Sequence, residues 1–418
     1  MFRKIVPLAT ALAVLLTLPL AVQAQVPSQA SDARYIVRFK DAAIPSVRPG
    51  SVRDDRVAQD PEAWGYVGER VLAHVQALER RYGVRAEAAF GHALKGMAVR
   101  LNAAQLERLR RDPSVDLIEA EQIYGLVAKR TSTVSNTVPQ FVPWGIGQTQ
   151  ADQSYTLAGN GSGTVTGVRA YVIDTGIDMG NTDLSRSGLV NFVGDRKNTD
   201  CNGHGTHVAG TLAASDNSVD VVGMAPGVSV YGVKVLDCAG SGTTTSVIKG
   251  IDWVTANAVL PAVANMSLGG GASQTLDDAV RKAAAKGIVF SLAAGNSAVD
   301  ACTTSPARVG GGAAPGVMTV AATDSSDQEA SFSNYGSCVD LWAPGVNISS
   351  LKIGGGVAVM SGTSMASPHT AGAAALYWAR YPLSTSASVV STLKTLAVNT
   401  GTFSKDGRAV RRLSANVQ

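Results

Sequence analysis

"VRAYVID" (residues 168–174) is the stretch that decides the fold. Apart from Arg169 it is apolar until it ends on Asp174, so both faces of an extended chain would need cover. Strands of a buried parallel sheet read this way, whereas a half-solvated strand alternates apolar and polar residues. "VSVYGVKVL" (228–236), "AVANMSL" (262–268), "IVFSLAA" (288–294) and "VMTVAA" (317–322) share the character. Between and after them the spacing predicts helices over about 204–214, 244–258, 275–286 and 364–380. Strands alternating with helices give an α/β unit, a parallel sheet with helices on both faces. Ligands in such folds bind beyond the carboxyl ends of the strands.

The whole chain has 418 residues, 44 of them glycine, and 45% are hydrophobic, which gives two or three domains and a large core. The net charge is only +4, and no basic run is interleaved with aromatics, so nucleic acid is not an expected partner. The first 25 residues, "MFRKIVPLATALAVLLTLPLAVQAQ", place Arg3 and Lys4 before an apolar run that ends in Val22-Gln23-Ala24. This predicts a secretory signal peptide over 1–24. No later segment is long and apolar enough to span a bilayer, so an exported, soluble protein without a membrane partner is expected. Export makes Cys201, Cys238, Cys302 and Cys338 disulfide candidates. Four cysteines allow three pairings, and the sequence does not choose among them. Zinc is disfavoured, because no C-x-x-C pair is present.

Residues 25–128 are about twice as charged as the rest, which separates a first unit from a second over 129–418. The first reads β-α-β-β-α-β. "RYIVRF" (34–39), "GMAVRL" (96–101) and "VDLIEA" (115–120) are strands; Val67, Val71, Val75 and Leu78 stripe one helix; Asn102 and Gln105 cap another. Residues 41–63, rich in Pro, Arg and Asp, read as a mobile loop, and 121–143 as an exposed linker. His74 and His92 stand alone and read as structural.

In the second unit five polar residues stand near strand ends or helix starts. Asp174 ends its strand; His204 and His207 open a helix in "CNGHGTHVAGT" (201–211); Asn296 follows a strand in "SLAAGNS" (291–297); Ser364 lies in "SGTSMASPH" (361–369). Pro368 belongs in the first turn of a helix, which puts Ser364 at a loop-to-helix junction. Each residue alone reads as a cap or turn. Four of them, Ser364, His204, Asp174 and Asn296, together supply what acyl transfer needs: a hydroxyl nucleophile, a base, a carboxylate to orient the base, and an amide donor for the oxyanion. The H-x-x-H pair lacks the glutamate of a zinc protease motif.

"DTG", "HGTHVAGT", "AAGN" and "GTSMASPH", in that order, resemble the subtilisin superfamily. "DCNGHGTH", "SPARV" and "SFSNYGSCVDLWAPG" (331–345) are most similar to bacterial secreted proteases of the proteinase K branch. The match runs over roughly 141–400. The resemblance implies a subtilisin-like fold and a secreted, monomeric serine endopeptidase without a catalytic cofactor. Ser364 would be nucleophile, His204 base and acid, Asp174 its orienting carboxylate, and Asn296 an oxyanion donor; His207 would be structural. Gly240, Ser241 and Gly242, with Ser267, Leu268, Gly269 and Gly270, would flank an extended peptide substrate. With Ala293, Ala294 and Gly295 they would leave a roomy, uncharged pocket for apolar or aromatic P1 side chains. Asp340, with the carbonyls of Pro315 and Val317, would bind structural calcium. "DMGNTDL" (178–184) departs from the family pattern, and no calcium ligand is carried over there. The first unit would be an inhibitory propeptide, the chain's own partner and folding aid. Counting from its end favours cleavage after Ala128; counting back from "PWG" (143–145) favours a start near Thr137. A catalytically silent binding protein is the alternative. An α/β-hydrolase esterase is excluded, because Ser364 is not in G-x-S-x-G and the Asp–His–Ser order is wrong.

Overall fold

The computed structural model describes residues 32–134 and 137–418; the expected signal peptide lies outside the described residues. The first unit is the expected β-α-β-β-α-β: β1 (Ala33–Phe39), α1 (Glu69–Tyr82), β2 (Ala86–Phe90), β3 (Gly96–Leu101), α2 (Ala103–Arg110) and β4 (Val115–Ala120). Its strands form an antiparallel sheet in the order β2-β3-β1-β4. Asn102 and Gln105 make the full capping box of α2. The stretch read as a mobile loop is corrected. It carries two short helical turns, Asp55–Gln59 and Pro61–Trp64. Arg56 fastens them, pairing with Asp54 (2.6 Å) and Glu79 (2.8 Å) while its guanidinium stacks 4.3 Å over Trp64.

The stretch read as a linker is also corrected. It forms two strands, β5 (Ile123–Leu126) and β6 (Lys129–Val134), each paired with the second unit. Their partners lie far along the chain, so no local pattern announces them.

The second unit continues with β7 (Arg169–Asp174), β8 (Arg186–Asn191), α3 (His204–Ala213), β9 (Ser229–Lys234), β10 (Ser241–Thr243), α4 (Thr244–Asn257), β11 (Ala262–Met266), β12 (Leu268–Gly271) and α5 (Gln274–Ala284). Then come β13 (Ile288–Ala293), β14 (Thr304–Ser305), β15 (Val317–Thr323), β16 (Leu341–Pro344), β17 (Ile348–Leu351), β18 (Val357–Ser361), α6 (Thr363–Arg380), α7 (Ser386–Leu396), β19 (Val398–Phe403) and β20 (Ala409–Arg412). The main sheet has the order β19-β20-β16-β15-β13-β11-β7-β9-β8, parallel except at β19–β20. Alternate residues of β7 explain its apolar run. Ala170 and Val172 pack with α3 and α6 on one face, Tyr171 and Ile173 with α4 and α5 on the other. The first unit sits on α4 and α5: Ile36, Ala88, Phe90 and Leu94 join that second core.

Three carboxylates hold this contact. Asp252, buried in α4, accepts the N–H groups of Gly91 (2.7 Å), His92 (2.8 Å) and Ala93 (2.6 Å). Glu119 accepts from Gln274 N (3.0 Å) and Thr275 N (2.9 Å) at the start of α5, and Glu121 from Thr245 N (3.3 Å) at the start of α4. A negative charge at a helix N-terminus satisfies free N–H groups and meets the positive end of the dipole. Both contacts vanish if the first unit leaves.

Cysteines pair as nearest neighbours, Cys201–Cys238 and Cys302–Cys338, closing loops of 37 and 36 residues. Each loop closure is worth about 3–4 kcal/mol on the chain-entropy estimate.

His369, on α6, is fully buried; its Nδ1 lies 2.8 Å from Met365 O, and burial pushes its pKa down to about 4. An unfolded histidine takes a proton near pH 6.5, and this one resists until about 4. Its contribution to stability is therefore complete above about pH 6.5 and is lost as pH falls towards 4, on the order of 3 kcal/mol in all. Denaturant melts of wild type and His369→Asn are expected to show a flatter pH slope for the variant across that window. Equal slopes would mean that His369 does not report on acid unfolding.

Candidate active site

The carboxyl ends of β7 and β13 and the starts of α3 and α6 carry the four polar residues picked out from the sequence, Asp174 paired with His204 and Asn296 bonded to Thr363 beside Ser364. Asp174 is the last residue of β7 and fully buried. Its Oδ1 accepts from Thr175 N (2.7 Å) and lies 2.8 Å from His204 Nδ1. That bond fixes which imidazole nitrogen carries the proton and leaves Nε2 as the basic one. His204 Nε2 is buried and has no hydrogen-bond partner among the described residues.

Asp200, which sequence reasoning gave no role, sets the start of α3. Its Oδ1 accepts from Thr175 Oγ1 (2.9 Å), Asn202 N (2.9 Å) and Gly203 N (2.9 Å), and its Oδ2 from Thr206 N (2.9 Å) and Thr206 Oγ1 (2.7 Å). It thus ties the end of β7 to the first turn of α3 and aims His204 at Asp174. Its signal was D-x-N-G before a helix, an Asx-turn pattern. The Cys201–Cys238 bridge fastens the same loop to the approach of β10. His207, one turn on, is buried with Nε2 against the carbonyls of Ile348 (3.0 Å) and Ala358 (3.1 Å), a structural place.

Asn296 follows Gly295, whose φ of +106° suits glycine. Asn296 Oδ1 accepts both N–H and O–H of Thr363 (2.9 Å each), so its amide N–H₂ must face the other way. There it donates to Val127 O at 2.5 Å, and Ser364 N lies 3.4 Å from the same oxygen. Two donors therefore converge on one carbonyl of the segment joining the two units. Ser364 Oγ, in this arrangement, donates to Ser267 O (3.1 Å).

The predicted flanking strands receive that segment. β5 lies between β10 and β12, antiparallel to both. Leu126 N donates to Gly240 O (3.2 Å); Ser241 faces Gly125 and Gly242 faces Tyr124. On the other side Leu268 faces Leu126, Gly269 faces Gly125 and Gly270 faces Tyr124. The glycines are there for space. A Cβ on Gly240 would lie 2.5 Å from Leu126 Cδ1, and one on Gly270 would lie 2.7 Å from the Tyr124 ring, which is fully buried. Val127 follows, with its Cγ1 3.8 Å from a Cβ added to Gly269.

This geometry has known counterparts. The subtilase family matches residues 166–413, and the peptidase inhibitor I9 family matches residues 34–126. The chain belongs to the subtilase family. It is 41% identical to an extracellular serine proteinase of Thermus sp. (strain Rt41A), over 87% of this chain and 85% of that one. It is 45% identical to alkaline serine exoprotease A of Vibrio alginolyticus over 72% of this chain, but spans only 55% of that longer protein. Among solved structures it is similar to a cold-adapted subtilisin-like serine proteinase, with 44% identity and a TM-score of 0.58, covering 68% of this chain and 99% of that one. The subtilase thus carries an I9 inhibitor unit ahead of its catalytic fold.

Two features of this subtilase correct the sequence reading. Pro368 is not in the first turn of its helix: α6 starts at Thr363, so the proline lies in the second turn. Asp340 does not fit the expected calcium. It is buried, its Oδ1 takes the Lys394 ammonium (2.6 Å), and its Oδ2 takes the N–H groups of Gly311 (2.9 Å) and Thr319 (3.0 Å). Calcium needs oxygens facing it, and these are already turned to donors. Pro315 and Val317 line a cleft with Lys394, whose positive charge would repel a cation.

Proposed function

We propose that this protein is an exported serine endopeptidase made as a zymogen, and that it cuts its own chain between Val127 and Ala128. The observation that carries the reading is the Val127 carbonyl held by Asn296 Nδ2 and Ser364 N, in a chain that also forms the Asp174–His204 pair. In the reaction, Ser364 Oγ leaves Ser267 O, gives its proton to His204 Nε2 and attacks the Val127 carbonyl carbon. Negative charge develops on Val127 O, where the two donors already point, so no dipole has to reorganise at the barrier. Asp174 holds the imidazolium that forms. His204 then passes the proton to Ala128 N as the peptide bond breaks, and water releases the acyl group by the same steps reversed.

The propeptide then ends at Val127 and the catalytic unit begins at Ala128, one residue earlier than the sequence reading placed it. Until it leaves, the propeptide blocks the cleft as a substrate-like strand. Protein substrates add there as an extended strand between β10 and β12. Leu126 and Tyr124 mark apolar P2 and P4 sites, and apolar or aromatic P1 residues take the place of Val127 beside Gly269. In a peptide panel varied at P1, kcat/KM is expected to be about 10-fold or more higher for Phe, Leu and Val than for Lys, Arg or Asp. A preference for Lys or Arg would overturn this pocket assignment.

A structural cation would meet a free carboxylate oxygen at Asp183 in "DMGNTDL", which Asp340 does not offer. Asp183 is buried, only its Oδ1 meets a donor (Asn217 Nδ2, 2.5 Å), and its Oδ2 has no partner among the described residues. Burial pushes its pKa up to about 7, the mark of a carboxylate lacking countercharge. A cation held by Asp183 would supply that charge. Chelation is expected to lower the melting temperature of wild type by about 5–10 °C. It should leave Asp183→Asn unmoved and still act on Asp340→Asn. Chelator sensitivity surviving in Asp183→Asn would remove Asp183 from the calcium reading.

A further inference from the structure

Pro368 sits inside α6, four residues after Ser364. In an α-helix the N–H of residue 368 bonds the carbonyl of residue 364. Proline has no N–H, and its ring crowds that carbonyl. The nucleophile residue therefore has a buried carbonyl with no helical donor, a group that is expensive to leave unpaired. Its donor comes from the segment between β11 and β12: Ser267 Oγ lies 2.9 Å from Ser364 O. Both residues are fully buried.

The direction of this bond is set by the groups behind it. Ser367 Oγ donates to Asn265 Oδ1 (2.8 Å), so the Asn265 amide turns its N–H₂ to Ser267 Oγ (2.8 Å). With that amide donating to its oxygen, the Ser267 hydroxyl points its hydrogen at Ser364 O. On the amino side, Thr363 N is held by Asn296 Oδ1. The backbone is thus fixed on both sides of Ser364.

We propose that Ser267 is a positioning residue for the nucleophile. Its hydroxyl stands in for the helical N–H that Pro368 removes, fixes ψ of Ser364, and so fixes the direction in which Oγ leaves the backbone. This rests on Ser364 being the nucleophile, as proposed above. A hydroxyl that merely filled space would be indifferent to the residue at 368. A stand-in donor becomes dispensable once the helix regains its own N–H.

The test is a double-mutant cycle in the full chain, with Ser267→Ala, Pro368→Ala and both together. Two rates are read: first-order self-cleavage of the full chain by intact mass, and kcat of the mature enzyme counted with an organophosphate serine probe. Ser267→Ala is expected to lower both about 30-fold with KM nearly unchanged. The double variant should return to within about 3-fold of Pro368→Ala alone, because the N–H restored at position 368 then bonds Ser364 O. A Ser267→Ala chain at full speed, or a loss equally large in both 368 backgrounds, would overturn the proposal. If Ser267→Ala does not accumulate folded, Ser267→Cys, with a weaker donor of similar size, is read the same way. Ser364→Ala, run alongside, separates the two ideas: residual full activity there would sink the nucleophile assignment itself, whatever the cycle shows.

Discussion

Ser364→Ala is expected to remain one uncut chain, with the first unit still covalently joined, while wild type yields a fragment beginning at Ala128. Hydrolysis of any peptide substrate should fall on the order of 10⁶-fold, the size known for subtilisin when it loses this serine. The argument is geometric. Val127 O already sits between two donors, at 2.5 Å from Asn296 Nδ2 and 3.4 Å from Ser364 N. His204 Nε2 is buried, without a competing partner among the described residues. Removing Oγ leaves the segment seated but removes the atom that attacks. Intact masses decide it. A wild-type fragment starting at Lys129 would restore the boundary read from sequence. A Ser364→Ala chain cut at the same bond as wild type would assign the cut to another protease.

Asn296→Ala is expected to lower kcat by about 10²–10³ with KM changed little, a magnitude known from subtilisin itself. The physical reason lies in where its amide points. Asn296 Oδ1 is committed to Thr363 N and Oγ1, so Nδ2 has one direction available, towards the carbonyl oxygen that becomes negative. A donor aimed at developing charge acts on the transition state more than on bound substrate. The first self-cleavage should slow by a similar factor, since the same two donors hold Val127 O. A rise in KM with kcat preserved would show that Asn296 serves substrate binding alone.

Much of this was legible in the chain because it is local. The parallel sheet shows as apolar runs, the helices as periodicity between them, and the capping box of α2 as two residues three apart. Asp174, His204, Asn296 and Ser364 could be named because together they supply the groups of one reaction and lie in four ordered short motifs that resemble the subtilisin superfamily. Other features were not legible because their partners are remote. β5 and β6 read as linker, since the edges they pair with lie over 100 residues away in β10, β12 and β18. Asp340, in "CVDLWAPG", matched a calcium-binding aspartate of the family it resembles, yet Lys394, 54 positions on, took its oxygen.

The sequence by itself determined the fold class, the two units, and the residue types of one reaction. Periodicity, capping and short motifs are properties of neighbouring residues, and neighbours are what a sequence displays. Only the tertiary structure decided the cysteine pairing, that Val127 rather than Ala128 offers its carbonyl, that Asp340 is an ion pair, and that Ser267 serves the helix Pro368 interrupts. Each of these is a choice of partner across the fold, made by hydrogen-bond direction, charge and burial, and no stretch of chain contains both members.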